Sequence, residues 1–300
     1  MRRKIIKQAN QAYTITLPIG WVRDNGLEAG GELDLKINEK SISLHTNSHS
    51  KPKKVSFNAE NLEERTIINS IKSFYAQGID EIIISSSKNI SESIIKALNN
   101  VIGFALISEN KNEYVIKEIN SGDFQHIDEI FKRVFQIILA FYDSAINDVF
   151  GPQKENLDSM KLRDIEVNKF CLFLQRAINK SSYSDAVKSR AIFTYSFALE
   201  KISDEIERFW RANIKYKPDK PKELKLLAEI TSAGLGKAFE VFYQSSPKLM
   251  EELYTLREKA RDKTHLIKVK DPQVIRLMRH LVKIIEDAAD LNHLAIMLKN

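Results

Sequence analysis

The sequence predicts an α+β protein, mainly α overall, on three observations. The first 46 residues alternate apolar and polar side chains in short runs. Residues 57–120 interleave two helical patterns with three short apolar runs, and from Asp123 onward six long stretches repeat at the helical period. Three hundred residues with 43% hydrophobic content are enough for two or three domains with sizeable cores.

At the start, Tyr13, Ile15 and Leu17 alternate with Thr14 and Thr16, the pattern of a half-buried strand. Pro18 stops that ladder, and a short helical turn around Trp21 and Val22 ends at Gly26. Leu33, Leu35 and Ile37, a polar turn at Asn38-Glu39-Lys40, then Ile42 and Leu44 read as a β-hairpin. A module of about fifty residues is too small to bury its own core, so residues 1–46 are expected to need a partner copy. Residues 47–56, polar, basic and broken by Pro52, read as a linker.

The segment 57–120 reads as a small α/β unit. A helix from Asn61 to Gln77 stops at Gly78, Glu81 to Ser85 is a short apolar strand, and a helix from Ser91 to Ile102 stops at Gly103. Phe104 to Ser108 and Tyr114 to Ile119 flank a polar loop as a hairpin. Ser85-Ser86-Ser87-Lys88 lacks the glycines of a phosphate loop, so no chemistry is assigned to it. Beyond it, helices are expected over 123–150, 156–180, 185–215, 222–245, 247–266 and 272–299, punctuated by Pro, Gly and Ser. The linker holding Pro218 and Pro221 splits them into two three-helix bundles, 123–216 and 222–300.

Charge is uneven. Arg2, Arg3, Lys4, Lys7 and Arg23 fall among the first 23 residues with no Asp or Glu, while the whole chain is +6, leaving about +1 (6 − 5) for the rest. Such a patch, doubled in a dimer, gives salt-dependent affinity for a duplex. The layout of residues 1–46 resembles the SpoVT/AbrB swapped-hairpin DNA-binding domain, in which two chains interleave their hairpins. The resemblance implies a homodimer joined through the N-terminal hairpins and double-stranded DNA as partner, with Arg2, Arg3, Lys4, Lys7, Thr14 and Arg23 as contacts. Ala12 and Ile19 depart from the family, standing where a small hydroxyl and a basic residue are common.

The helical part repeats its acids. Glu200 and Asp204 are matched 86 residues later by Glu286 and Asp290, and Glu207 at the same offset by His293. Glu258 and Asp262 are matched 94 residues earlier by Asp164 and Asn168. Two carboxylates one helical turn apart can share a cation. Acidic pairs also line helix faces simply to stay solvated. The arrangement resembles the PhoU family, two three-helix bundles with acidic motifs that hold transition metals. That implies metal ligands Glu258, Asp262, Glu286, Asp290 and His293 in the second bundle, and Asp164, Glu200 and Asp204 in the first, where Asn168 replaces a carboxylate. The His favours Fe, Zn or Ni.

Joined, the halves look like the archaeal-type phosphate uptake regulators, which implies control of transcription by phosphate status and contact with the ATPase subunit of a phosphate transporter. A non-DNA-binding adaptor on that transporter and an antitoxin-like repressor are the rival readings. No enzyme is expected, since no HExxH, P-loop, dinucleotide or Ser/His/Asp pattern is present. The longest apolar run, near Phe135 to Phe141, is too short for a membrane span, and the charged start does not read as a signal peptide, so a cytoplasmic location is expected. Cys171, the lone cysteine, lies in an apolar stretch and reads as a buried structural thiol.

Overall fold

The structure is a computed structural model that describes residues 2–8, 12–38, 41–46, 52–120, 127–180, 186–266 and 270–299. The hairpin turn at Glu39-Lys40, most of the linker (47–51) and the expected helix starts at 123 and 185 lie outside the described residues. The protein is α+β and mainly α, as its periodicities predict. It divides into two compact units, Met1–Pro52 and Lys53–Asn300.

The first unit holds strands β1 (Ile5–Gln8), β2 (Ala12–Ile15), β3 (Leu33–Asn38) and β4 (Ser41–Thr46), with the short helix α1 (Ile19–Asp24) after β2. They form two separate antiparallel pairs, β1 with β2 and β3 with β4. In the first pair Ile5 faces Ile15 and Lys7 faces Tyr13, and in the second Leu35 faces Leu44 and Ile37 faces Ile42. Helix α1 stops where Gly26 takes a left-handed conformation (φ 62°), which glycine adopts without steric cost. The half-buried strand expected from Tyr13 and Ile15 is fully exposed: Tyr13 is 67% and Ile37 75% accessible, and no described residue of this unit is buried. Two strands with one apolar face have nothing of their own to pack it against.

The second unit begins with a strand, not a linker. β5 (Lys54–Asn58) takes the last residues of the stretch expected to be linker and pairs parallel to β6 (Glu81–Ser85). Val55 and Phe57 turn toward the core while Lys54 and Ser56 stay exposed, and helix α2 (Glu64–Ala76) makes the crossover a parallel pair requires. Helix α3 (Ser91–Leu98) leads to β7 (Phe104–Asn110) and β8 (Glu113–Glu118), giving the sheet order β5-β6-β8-β7. Its core is Ile67, Ile71, Tyr75, Ile82, Ile84, Ile94, Tyr114 and Ile116, joined by Leu172 from the helical part.

Six helices follow: α4 (Ile127–Phe150), α5 (Leu157–Lys180), α6 (Ala186–Tyr216), α7 (Lys222–Gln244), α8 (Pro247–Leu266) and α9 (Pro272–Lys299). Proline opens α8 and α9, where its missing N–H costs nothing. The helices pack as two triples, α4-α5-α6 and α7-α8-α9. The triples are fused, however, into one hydrophobic core. Phe131 and Phe135 of α4, Tyr195 of α6 and Phe242 of α7 pack ring against ring across the junction, and α6 runs against α9. The Tyr142 hydroxyl donates to the Ala228 carbonyl at 2.9 Å, tying α4 to α7. Cys171 is buried and reduced in this core, and burial pushes its thiol pKa up. Among the described residues no helix is long and apolar enough to cross a membrane.

Arg176 of α5 fastens the sheet to the helices. It is 1% exposed, donates to the carbonyls of Tyr75 and Ile79 at 2.9 and 2.7 Å, and pairs with Asp80 and Glu118 at 3.0 and 3.1 Å. Its guanidinium also lies 4.9 and 4.7 Å from the ring centroids of Tyr75 and Phe104. Lys180, one turn on, binds the same two carboxylates at 2.7 and 2.6 Å.

Candidate functional site

Two acidic groups lie in the helical part, and one basic hairpin lies in the first unit. On the hairpin, Arg2, Arg3 and Lys4 precede β1, and Lys7 sits within it opposite Tyr13. Thr14 lies opposite Ile6 and its hydroxyl donates weakly to the Ile6 carbonyl at 3.4 Å. By strand alternation Lys7 and Thr14 occupy opposite faces of the pair. Arg23 closes the last turn of α1, where a cation suits the helix dipole. All six side chains are exposed.

In the first triple the structure brings Asp164 of α5 to the acidic face of α6. Its Oδ1 accepts from the Ser203 hydroxyl at 2.8 Å and its Oδ2 from the Asn168 amide at 3.1 Å. Burial, offset in part by Ser203 and reinforced by the charges of Asp204, Glu207 and Glu200, pushes Asp164 up to about 6. The neighbours are partly neutralised already: Asp204 pairs with Lys201 at 3.3 Å and Arg208 at 3.1 Å, and Glu207 with Arg211. Asn168 is buried and its Oδ1 has no hydrogen-bond donor. An orphaned buried oxygen beside a carboxylate whose charge burial disfavours is an acceptor set that a cation would satisfy.

The second triple carries the fuller acidic set in sequence, and its packing answers that charge with an arginine. Arg261 of α8 donates to Glu258 at 3.1 Å and to Glu286 of α9 at 2.9 Å, so a guanidinium bridges the carboxylates expected to share a metal. Arg257 adds a second contact to Glu258 at 2.9 Å. Asp262 is exposed. Asp290 and His293 are also exposed and line a cavity of about 390 Å³ between α6 and α9. Among the described residues, in neither triple do three His, Cys, Asp or Glu side chains gather as a group that could hold one ion.

Sequence reasoning missed Ser203, Arg261 and Asp287. Asp287 is half-buried; burial raises its pKa despite its ion pair with Lys283, and its Oδ2 lacks a partner. Arg261 had a sequence signal, since it lies three residues after Glu258 on the same helix face. No known protein-family model matches the chain, and no curated protein matches it either.

Proposed function

We propose that this chain is a cytoplasmic, homodimeric DNA-binding regulator of transcription that adjusts phosphate uptake, with the first unit reading DNA and the helical part sensing phosphate status. The observation that carries the reading is the first unit. Its two hairpins expose Ile5, Tyr13, Ile15, Leu35, Ile37 and Ile42, each more than half accessible, beside a cluster of cations without acids. Apolar faces of that kind call for a second copy, and the cations then meet a duplex from both subunits. Arg2, Arg3, Lys4, Lys7 and Arg23 would hold phosphates, and Thr14 a phosphate or base edge.

The resemblance to the phosphate uptake regulators supplies the phosphate assignment and the ATPase subunit of a phosphate transporter as the second partner. For a metal, Asp164 with Asn168, Glu200 and Asp204 is the better candidate set. A divalent ion there would lower the Asp164 pKa and take up the free Asn168 oxygen. The exposed Asp290 and His293 leave a contact surface for a protein partner instead.

Fluorescence anisotropy on the DNA upstream of its own gene tests the reading, with the full chain compared with a fragment starting at Lys53. The full chain is expected to bind with a steep negative dependence on salt, the fragment not at all, and Arg3→Glu/Lys4→Glu to lose at least about tenfold in affinity. No binding by the full chain at low salt sinks the transcriptional reading.

A further inference from the structure

The face of α9 that looks away from the core carries Arg276, Arg279, His280 and Lys283, spaced so that all four share one side of the helix. They line a cavity of about 660 Å³, in the range of small-ligand sites. Its apolar part is made by Ile275, Met278 and Val282, with Ile275 43% exposed. Two carboxylates also line it, and both are engaged. Glu205 binds His280 at 2.7 Å and Arg208, while Glu286 is held by Arg261 at 2.9 Å. Lys283 pairs with Asp287. Among the described residues, Arg276 and Arg279 have no acidic partner.

A second observation lies beside the first. The C-terminal end of α6 meets α9 at Tyr216, whose ring is 4.9 Å from the Lys215 ammonium and 4.7 Å from the Arg276 guanidinium. Hydrogen bonds from Lys215 and Arg276 hold the exposed phenol below its ordinary pKa. Two cations thus converge on one phenol. Holding like charges together without a counter-charge costs free energy that a bound anion would return.

We propose that this cavity binds a polyphosphate group, a chain of two or more phosphoryl units such as the tail of a nucleoside triphosphate, on Arg276 and Arg279. Guanidinium groups bind phosphoryl oxygens through paired N–H donors, which suits arginine over lysine here. From Arg276 to Arg279 the helix rises about 4.5 Å, so the two guanidinium groups can each take a neighbouring phosphoryl unit of one chain. The apolar wall beside the cations offers a resting place for a base, which separates a nucleotide from an inorganic chain. The site is distinct from the hairpin cations and does not depend on DNA binding.

Isothermal titration of the full chain at low salt tests it, with ATP, inorganic tripolyphosphate and orthophosphate as probes. Three proteins are compared: wild type, Arg276→Gln/Arg279→Gln and Arg3→Gln/Lys4→Gln. Tripolyphosphate is expected to bind wild type saturably and at least about tenfold more tightly than orthophosphate, with a similar loss in the α9 variant and none in the hairpin variant. ATP binding more tightly than tripolyphosphate assigns the site to nucleotides, and equal or weaker binding assigns it to an inorganic chain. Both arginines are exposed, so the fold should survive. Arg279→Ala alone, expected to cost at least about threefold, is the second probe if the pair does not fold. No saturable binding of either polyphosphate overturns the proposal. So does equal affinity for orthophosphate, retention of binding in the α9 variants, or loss in the hairpin variant alone.

Discussion

Asp164 shows how one side chain sets a pH dependence of unusual sign. Its folded pKa, about 6, lies above the ordinary carboxylate value of 3.8, chiefly because it is buried. The native state therefore binds more protons than the unfolded chain between those values, and stability falls as pH rises through that window. Keeping this carboxyl ionised at neutral pH, when its pKa stands at about 6 and not at 3.8, costs roughly 3 kcal/mol. Asp164→Asn removes that cost. The Asn168 amide can turn its unpartnered Oδ1 toward the new NH₂, so both side chains stay bonded. In metal-free protein the variant is expected to be about 1–2 kcal/mol more stable at pH 7 and no more stable than wild type at pH 4. Thermal unfolding at the two pH values reads this, and a variant less stable at pH 7 refutes it. The i,i+4 acids were legible in sequence. Whether the cations of each helix answer those acids was not, because that depends on side-chain conformations fixed by neighbouring helices.

Helices were the most legible elements: all six long ones start and stop within a few residues of where period and punctuation put them, as far as they are described. The strand β5 was not legible, because Lys51-Pro52-Lys53-Lys54 looks like linker and only Val55 and Phe57 alternate. Its pairing with β6 is non-local and leaves no mark on the segment itself. The link between α5 and the sheet was equally invisible, since Arg176 reads as one more cation. Its removal is testable. Arg176→Met leaves Lys180 as the only cation on Asp80 and Glu118 and removes the guanidinium donor from the Tyr75 and Ile79 carbonyls, and is expected to cost about 3 kcal/mol. Urea unfolding of the Lys53–Asn300 unit measures it, and a loss below about 1 kcal/mol would show the network to be dispensable. Asp80 acts opposite in sign to Asp164. Its bonds to Lys180 and the Lys53 amide hold its pKa down despite burial. That contribution is present above the ordinary carboxylate value and is lost as pH falls through the folded one.

For the whole molecule, the two units differ in how much of themselves they bury. The larger closes two apolar cores, while the smaller exposes Ile5, Tyr13, Ile15, Leu35, Ile37 and Ile42, among others, on two hairpins. Covering those six would release on the order of 10 kcal/mol before the costs of association, enough to hold two chains together. Sedimentation equilibrium is expected to show a dimer that Ile37→Lys/Ile42→Lys converts to monomer, with the helical content retained. A wild-type monomer at micromolar concentration would mean that something else covers those faces.

The arginine that bridges α8 and α9 has one more consequence. A metal between two helices must be acquired, can be stripped by a chelator and can exchange or change oxidation state. Arg261 stays protonated at any pH a cell reaches, so the contact between Glu258 and Glu286 is occupied from the moment the chain folds. The second triple thereby has a fixed setting where the first, around Asp164, keeps an adjustable one.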